Sequence, residues 1–125
     1  MAEQLWVVRA GEQARYAEDF KSGEFIAAGF GEFFPGDLGG TSEIELRRRA
    51  TSPAERTFAG QLSAFAYHVE TGDFVIVPLL PKRRTYLVGQ VSGPYQHITP
   101  APASGPHRRA VKWLGEFPRE GLSKA

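Results

Sequence analysis

The stretch Gly72-Asp73-Phe74-Val75-Ile76-Val77-Pro78 is followed by Lys82-Arg83-Arg84 and then by Tyr86-Leu87-Val88-Gly89-Gln90-Val91. Two apolar, β-branched runs bounded by Gly and Pro read as paired strands. The segment therefore predicts a hairpin whose tip carries three adjacent cations on a rigid β scaffold. Asp73, directly after Gly72, reads as the cap of the turn into its strand. A small barrel with such a hairpin is a platform for nucleic acid.

Working outward, Leu5-Trp6-Val7-Val8-Arg9 predicts a first strand closed by Ala10-Gly11. Glu12 to Lys21 carries Ala14, Ala17 and Phe20 at helical spacing, with Ser22-Gly23 as a stop. Phe25 to Gly31 predicts a second strand. Thr41-Ser42-Glu43-Ile44 opens a helix with a hydroxyl cap near carboxylates. Ser52-Pro53-Ala54-Glu55 opens another, with Pro at its first position. That helix bears Phe58, Leu62, Phe65, Ala66 and Val69 on one stripe and is expected to end at Thr71-Gly72. Ser92 to Pro106 reads as a long irregular connection with an edge strand around Tyr95 to Ile98, Ala110 to Leu114 as a last strand, and Glu116 to Ala125 as a tail. Strands and helices do not alternate strictly, which argues against a doubly wound parallel sheet. An α+β fold follows, a small, curved, mixed β-barrel with flanking helices.

The chain has 125 residues, 42% hydrophobic and 23% charged, which fits one globular domain over residues 1–125. With no cysteine, disulfides, thiolate zinc sites and cysteine nucleophiles are excluded. No apolar run approaches the roughly 20 residues that span a bilayer, and Met-Ala-Glu-Gln-Leu-Trp has no signal-peptide character, so a cytoplasmic protein without membrane contact is expected. Net charge is +1, but residues 1–73 hold 7 Lys/Arg against 12 Asp/Glu (−5), and residues 74–125 hold 8 against 2 (+6). The second half is thus able to build a positive face that attracts phosphate.

Catalytic signals are weak. His68, His97 and His107 have no metal-ligand spacing and read as surface or capping residues. There is no GxSxG, no P-loop and no GxGxxG opening a helix. No catalytic residue, metal or cofactor is expected. Binding signals are better: 15 of 125 residues are aromatic, and Trp6, Phe30, Phe33, Phe34, Tyr86, Tyr95 and Trp113 sit beside glycines or at strand ends. A slot between rings suits an extruded base, because stacking on π faces replaces the stacking the base left. Arg9, Lys82, Arg83, Arg84, Arg108, Arg109 and Lys112 are the candidates for backbone phosphates. Phe20, Phe25, Phe58 and Phe74 are expected in the core, and Arg47-Arg48-Arg49 on a solvated helix face.

Leu5 to Gly11, Ile26-Ala27-Ala28-Gly29-Phe30-Gly31-Glu32, Gly72 to Pro78, Val88 to Tyr95 and Arg108 to Leu114 together resemble the N-terminal domain of Mrr-like restriction endonucleases. That domain is similar to the EVE, YTH and PUA-like barrels. The resemblance spans nearly the whole chain and implies a reader domain for double-stranded DNA carrying a methylated or hydroxymethylated base, which flips the base into an aromatic cage while a separate nuclease domain, in cis or in trans, cuts. The residue after Gly29 is usually Trp in such sequences; here Phe30 keeps a smaller wall beside Gly31. Gln61 falls near the polar residues that face the base in EVE relatives, and its amide offers both a donor and an acceptor. For the second wall, Trp6, Phe33, Phe65 and Tyr95 compete. The alternatives are an RNA-binding module of the same barrel type and a small toxin-like ribonuclease.

Overall fold

Val75, Val77, Leu87, Val91 and Val111 are buried at every second position of their strands, the period that turns one face of a pleated sheet inward. These strands belong to one mixed sheet in the computed structural model, which describes residues 3–79 and 84–118. β1 (Leu5–Val7), β2 (Phe25–Ala28), β3 (Phe74–Pro78), β4 (Thr85–His97) and β5 (His107–Pro118) lie in the order β1-β3-β4-β5-β2. β1 runs parallel to β3, and the other pairs are antiparallel. The predicted hairpin is present, with Pro78 opposite Tyr86; Lys82 and Arg83 of its tip lie outside the described residues.

The sheet is open. β1 and β2 are its two edges and no pairing joins them, so the α+β class holds but no closed barrel forms. The strand expected around Tyr95 to Ile98 is present, but as the end of β4 and not as a separate edge strand, pairing Tyr95, Gln96 and His97 with Arg109, Arg108 and His107; residues 98–106 are the irregular connection. The register shift between Val91 and Tyr95 absorbs Gly93 and Pro94, residues a regular ladder accepts poorly. A second shift falls beside Gly89, where an added Cβ would stand 2.5 Å from the Trp113 ring. β5 is correspondingly longer than Ala110 to Leu114. It takes in Glu116 to Pro118 of the expected tail, whose remainder is outside the described residues.

α1 (Ala17–Gly23), α2 (Glu43–Arg48) and α3 (Pro53–Ser63) complete the fold. The helix expected from Glu12 is broken, because Gln13 and Ala14 take positive φ of 54° and 59°, and a 3₁₀ turn over Glu12–Ala14 precedes α1. Both serine caps form, Ser42 accepting from the Glu45 amide and Ser52 from the Glu55 amide. α3 runs into a π turn, Ala64–His68, closed by the Val69 amide on the Ala64 carbonyl. One core cluster joins Phe20, Phe25, Ile26 and Phe65 to the inner face of the sheet. The other, with Phe34, Leu38, Leu46, Ala59 and Leu62, packs α2 and α3 against residues 34–38. Phe20 and Phe25 are core as expected; Phe58 and Phe74 are only half-buried.

Candidate functional site: a cavity between the sheet edges

A cavity of about 650 Å³ is lined by the end of β1 and its exit (Trp6, Val7, Val8, Arg9), by Ala27 to Phe30 at the end of β2, and by Gln61, Ala64, Phe65 and Val69 of α3 and the π turn. Gly11, Glu12, Gln13, Tyr16, Phe20 and Ser104 complete the wall, with Glu12 its one carboxylate. The two free edges of the sheet therefore face one space, roofed by the helix. Its size lies in the range of small-molecule sites, roughly 300–1,000 Å³, and its mixture of apolar walls and a few polar groups is the pattern of such sites.

Trp6 is held rigidly. Its indole Nε1 donates to Asp73 Oδ2 at 2.8 Å, and the same carboxylate accepts the Gln4 and Glu70 amides. Burial pushes the Asp73 carboxyl up, but these bonds from Glu70, Gln4 and Trp6, helped by the Arg109 charge, hold it below its ordinary value. Phe30 has φ of 71°, a left-handed backbone that costs a residue with a Cβ about 1–2 kcal/mol. Its carbonyl accepts the Phe33 and Phe34 amides, closing the turn that exits β2. One face of its ring rests on Phe58, with centroids 4.7 Å apart and planes at 18°. Among the described residues the side chains of Arg9, Gln13, Gln61 and Ser104 have no hydrogen-bond partner, so polar capacity at this cavity is unspent.

The structure thus brings together Trp6, Arg9, Phe30, Gln61 and Phe65 of the predicted set and leaves others elsewhere. Gly31 does not line the cavity; a Cβ there would lie 2.5 Å from the Pro106 ring, so the residue is small for packing. Phe33 is 44% exposed and leans on Phe58 outside the cavity. Tyr95, expected as a cage wall, does not line the cavity. Its hydroxyl accepts the Leu38 amide at 3.1 Å and reaches His107 Nδ1 at 2.7 Å, and burial drives its pKa up to about 12. His107, expected at the surface, is fully buried. Its Nε2 bonds the Phe34 carbonyl at 2.6 Å, which only accepts, so that nitrogen carries the proton and Nδ1 takes the tyrosine proton. Burial, first of all, holds this imidazole below its ordinary 6.5.

Among the cations, Arg109, expected at the DNA backbone, lies inside the protein. It is 4% exposed and donates to the Val69, Phe65 and Gly93 carbonyls, which leaves no free face for a phosphate. Burial lowers its pKa, opposed by the Asp73 and Glu70 charges. Arg108 and Lys112, on the opposite side of β5 by strand alternation, face outward, and Arg84 is exposed. Tyr16 and Gln13 were missed because the sequence pattern placed them inside a regular helix. Gly11 was the one available signal of a break there, and it has φ of 77°. No group of three or more His, Asp or Glu suited to a metal occurs among the described residues, and no described helix is long and apolar enough to cross a membrane.

Fold and site together define an α+β protein with an aromatic cavity held between the edges of an open sheet. The chain belongs to the DUF8426 family, a domain of unknown function, whose family model matches residues 6–124. No curated protein and no solved structure matches it.

Proposed function

We propose that the protein is a non-catalytic reader that binds double-stranded DNA carrying a modified base, takes that base into the cavity between β1 and β2, and so directs restriction by a nuclease domain in cis or in trans. The observation that carries this reading is the convergence of Trp6, Phe30 and Phe65 with Gln61 and Arg9 on one cavity of about 650 Å³. The open sheet is then a PUA/EVE/YTH-like barrel whose seam is left unpaired to admit the base.

The energetics set the division of labour. Stacking a base on aromatic rings contributes about 1–3 kcal/mol, and extruding it costs a few kcal/mol, so the two nearly cancel. Affinity must then come from phosphate contacts, for which Arg9, Arg84, Arg108 and Lys112 are the described candidates that reach the surface, while the cavity supplies discrimination. An added methyl or hydroxymethyl group tips the balance by filling apolar space and by meeting the Gln61 amide.

The test is a binding titration with matched duplexes, plain or bearing N6-methyladenine, 5-methylcytosine or 5-hydroxymethylcytosine, at several salt concentrations. The proposal expects tighter binding to one modified duplex at every salt concentration. Equal affinity for all of them rejects it, and preference for RNA of the same sequence replaces it with the RNA-binding reading.

A further inference from the structure

We propose that the groove next to the cavity is a phosphodiester subsite, built by Arg108 and Ser104, that holds the DNA backbone beside the captured base. This rests on the reading of the cavity as a base pocket and adds where the strand leaves it. The groove, about 320 Å³, runs between α1 and residues 102–104 and is lined by Asp19, Ser22, Phe25, Ser104 and Arg108.

Ser104 lines both spaces, so the two adjoin at this residue. It is only 8% exposed, yet its hydroxyl has no partner among the described residues. Its oxygen is not among the buried side-chain atoms that lack a partner, so the hydroxyl reaches solvent and is free to donate to a ligand oxygen at the groove. The turn that presents it is fixed by the Gly105 amide on the Pro102 carbonyl.

Arg108 supplies the charge. Its guanidinium carbon stands 3.7 Å over the Phe25 ring, a stack that orients the planar fork before any ligand arrives. Its strand position is equally fixed, between Ala27 of β2 and Gln96 of β4. No carboxylate of the described residues pairs with it, and its Nε is buried without a partner. A preorganised, unneutralised guanidinium beside hydroxyls is the donor set that a phosphodiester takes. Asp19 lines the same groove and opposes an anion there.

This places the strand along the β2–β5 side of the molecule. The test uses the full chain with Arg108→Met, which keeps the stem over Phe25, Asp19→Asn on exposed α1, and Arg48→Gln as a distant exposed cation. Each is titrated with the plain and the preferred modified duplex over a salt series, with melting curves alongside. Arg108→Met is expected to weaken both duplexes by one common factor and to reduce the salt slope by about one. Asp19→Asn is expected to tighten both about two- to fivefold, and Arg48→Gln to change neither. An unchanged slope in an Arg108→Met protein that melts normally overturns the subsite. Should that variant melt early, Asp19→Asn decides alone, and unchanged or weaker binding by it overturns the subsite. A wild-type protein that binds both duplexes equally rejects the base pocket while the slope still decides the groove, and failure to bind either duplex at low salt rejects both.

Discussion

Phe30 concentrates the residue-scale question, because its backbone is held where glycine is favoured and its ring is nonetheless kept. Left-handed residues with side chains persist when the surroundings over-determine them, and they cluster at binding sites. Phe30→Ala is expected to abolish discrimination between modified and plain duplexes while leaving the salt slope intact; loss of the folded state in a melting experiment would instead assign the ring to the core. Tyr95 behaves oppositely. Tyr95→Phe leaves the Leu38 amide and His107 Nδ1 without their shared partner, so stability should fall by about 1–3 kcal/mol in urea titrations, with discrimination unchanged. His107 links this site to pH. Its folded-state pKa lies below 6.5, so the unfolded chain binds a proton that the native protein does not. The stability it contributes is complete above about 6.5 and declines as pH falls through that value toward its folded pKa. Urea midpoints measured at pH 8 and pH 5 should differ in that direction, and His107→Gln should flatten the difference.

At the scale of elements, the junction of α3, its π turn and β5 builds the back of the cavity. The π turn turns the Phe65 and Val69 carbonyls toward Arg109, whose bond to Val69 is 2.6 Å. A cation among carbonyls at a helix C-terminus is also favoured by the helix dipole. Arg109→Met removes these donors from buried acceptors and should cost about 2–4 kcal/mol of stability, read as a lower denaturant midpoint. Because Arg109 faces no solvent, the same variant should leave the salt slope of DNA binding unchanged wherever it remains folded. The Ser42 and Ser52 caps and the Pro53 start were legible in the sequence because they are local chemistry. The split of the first helix was not, since the positive φ of Gln13 and Ala14 is imposed by the Tyr16 amide bonding the Ala10 carbonyl and by the packing of Tyr16 against the core.

For the whole molecule, an open sheet with both edges on one cavity leaves part of its apolar interior accessible, so a fitting ligand should stabilise the fold. At a hundred times its dissociation constant a ligand adds about 2.7 kcal/mol; the preferred modified duplex should therefore raise the melting temperature more than its plain counterpart at equal concentration. Trp6 and Trp113 are the two tryptophans, and Trp113 is occupied with the Phe20 carbonyl. A Trp113→Phe protein thus reports on Trp6, whose emission should be quenched by base stacking. Unaltered emission at saturation would place the base elsewhere. By itself the sequence determined the strands, the two capped helices, the hairpin and five of the cavity residues, because periodicity, capping and turn chemistry act over a few neighbours. Only the tertiary structure decided that the sheet stays open, that Arg109 and His107 lie inside, and that Tyr95 braces residues 34–38 instead of facing the cavity. Those outcomes depend on contacts between residues far apart in the chain, and no local pattern records which of two alternating β5 side chains will be desolvated.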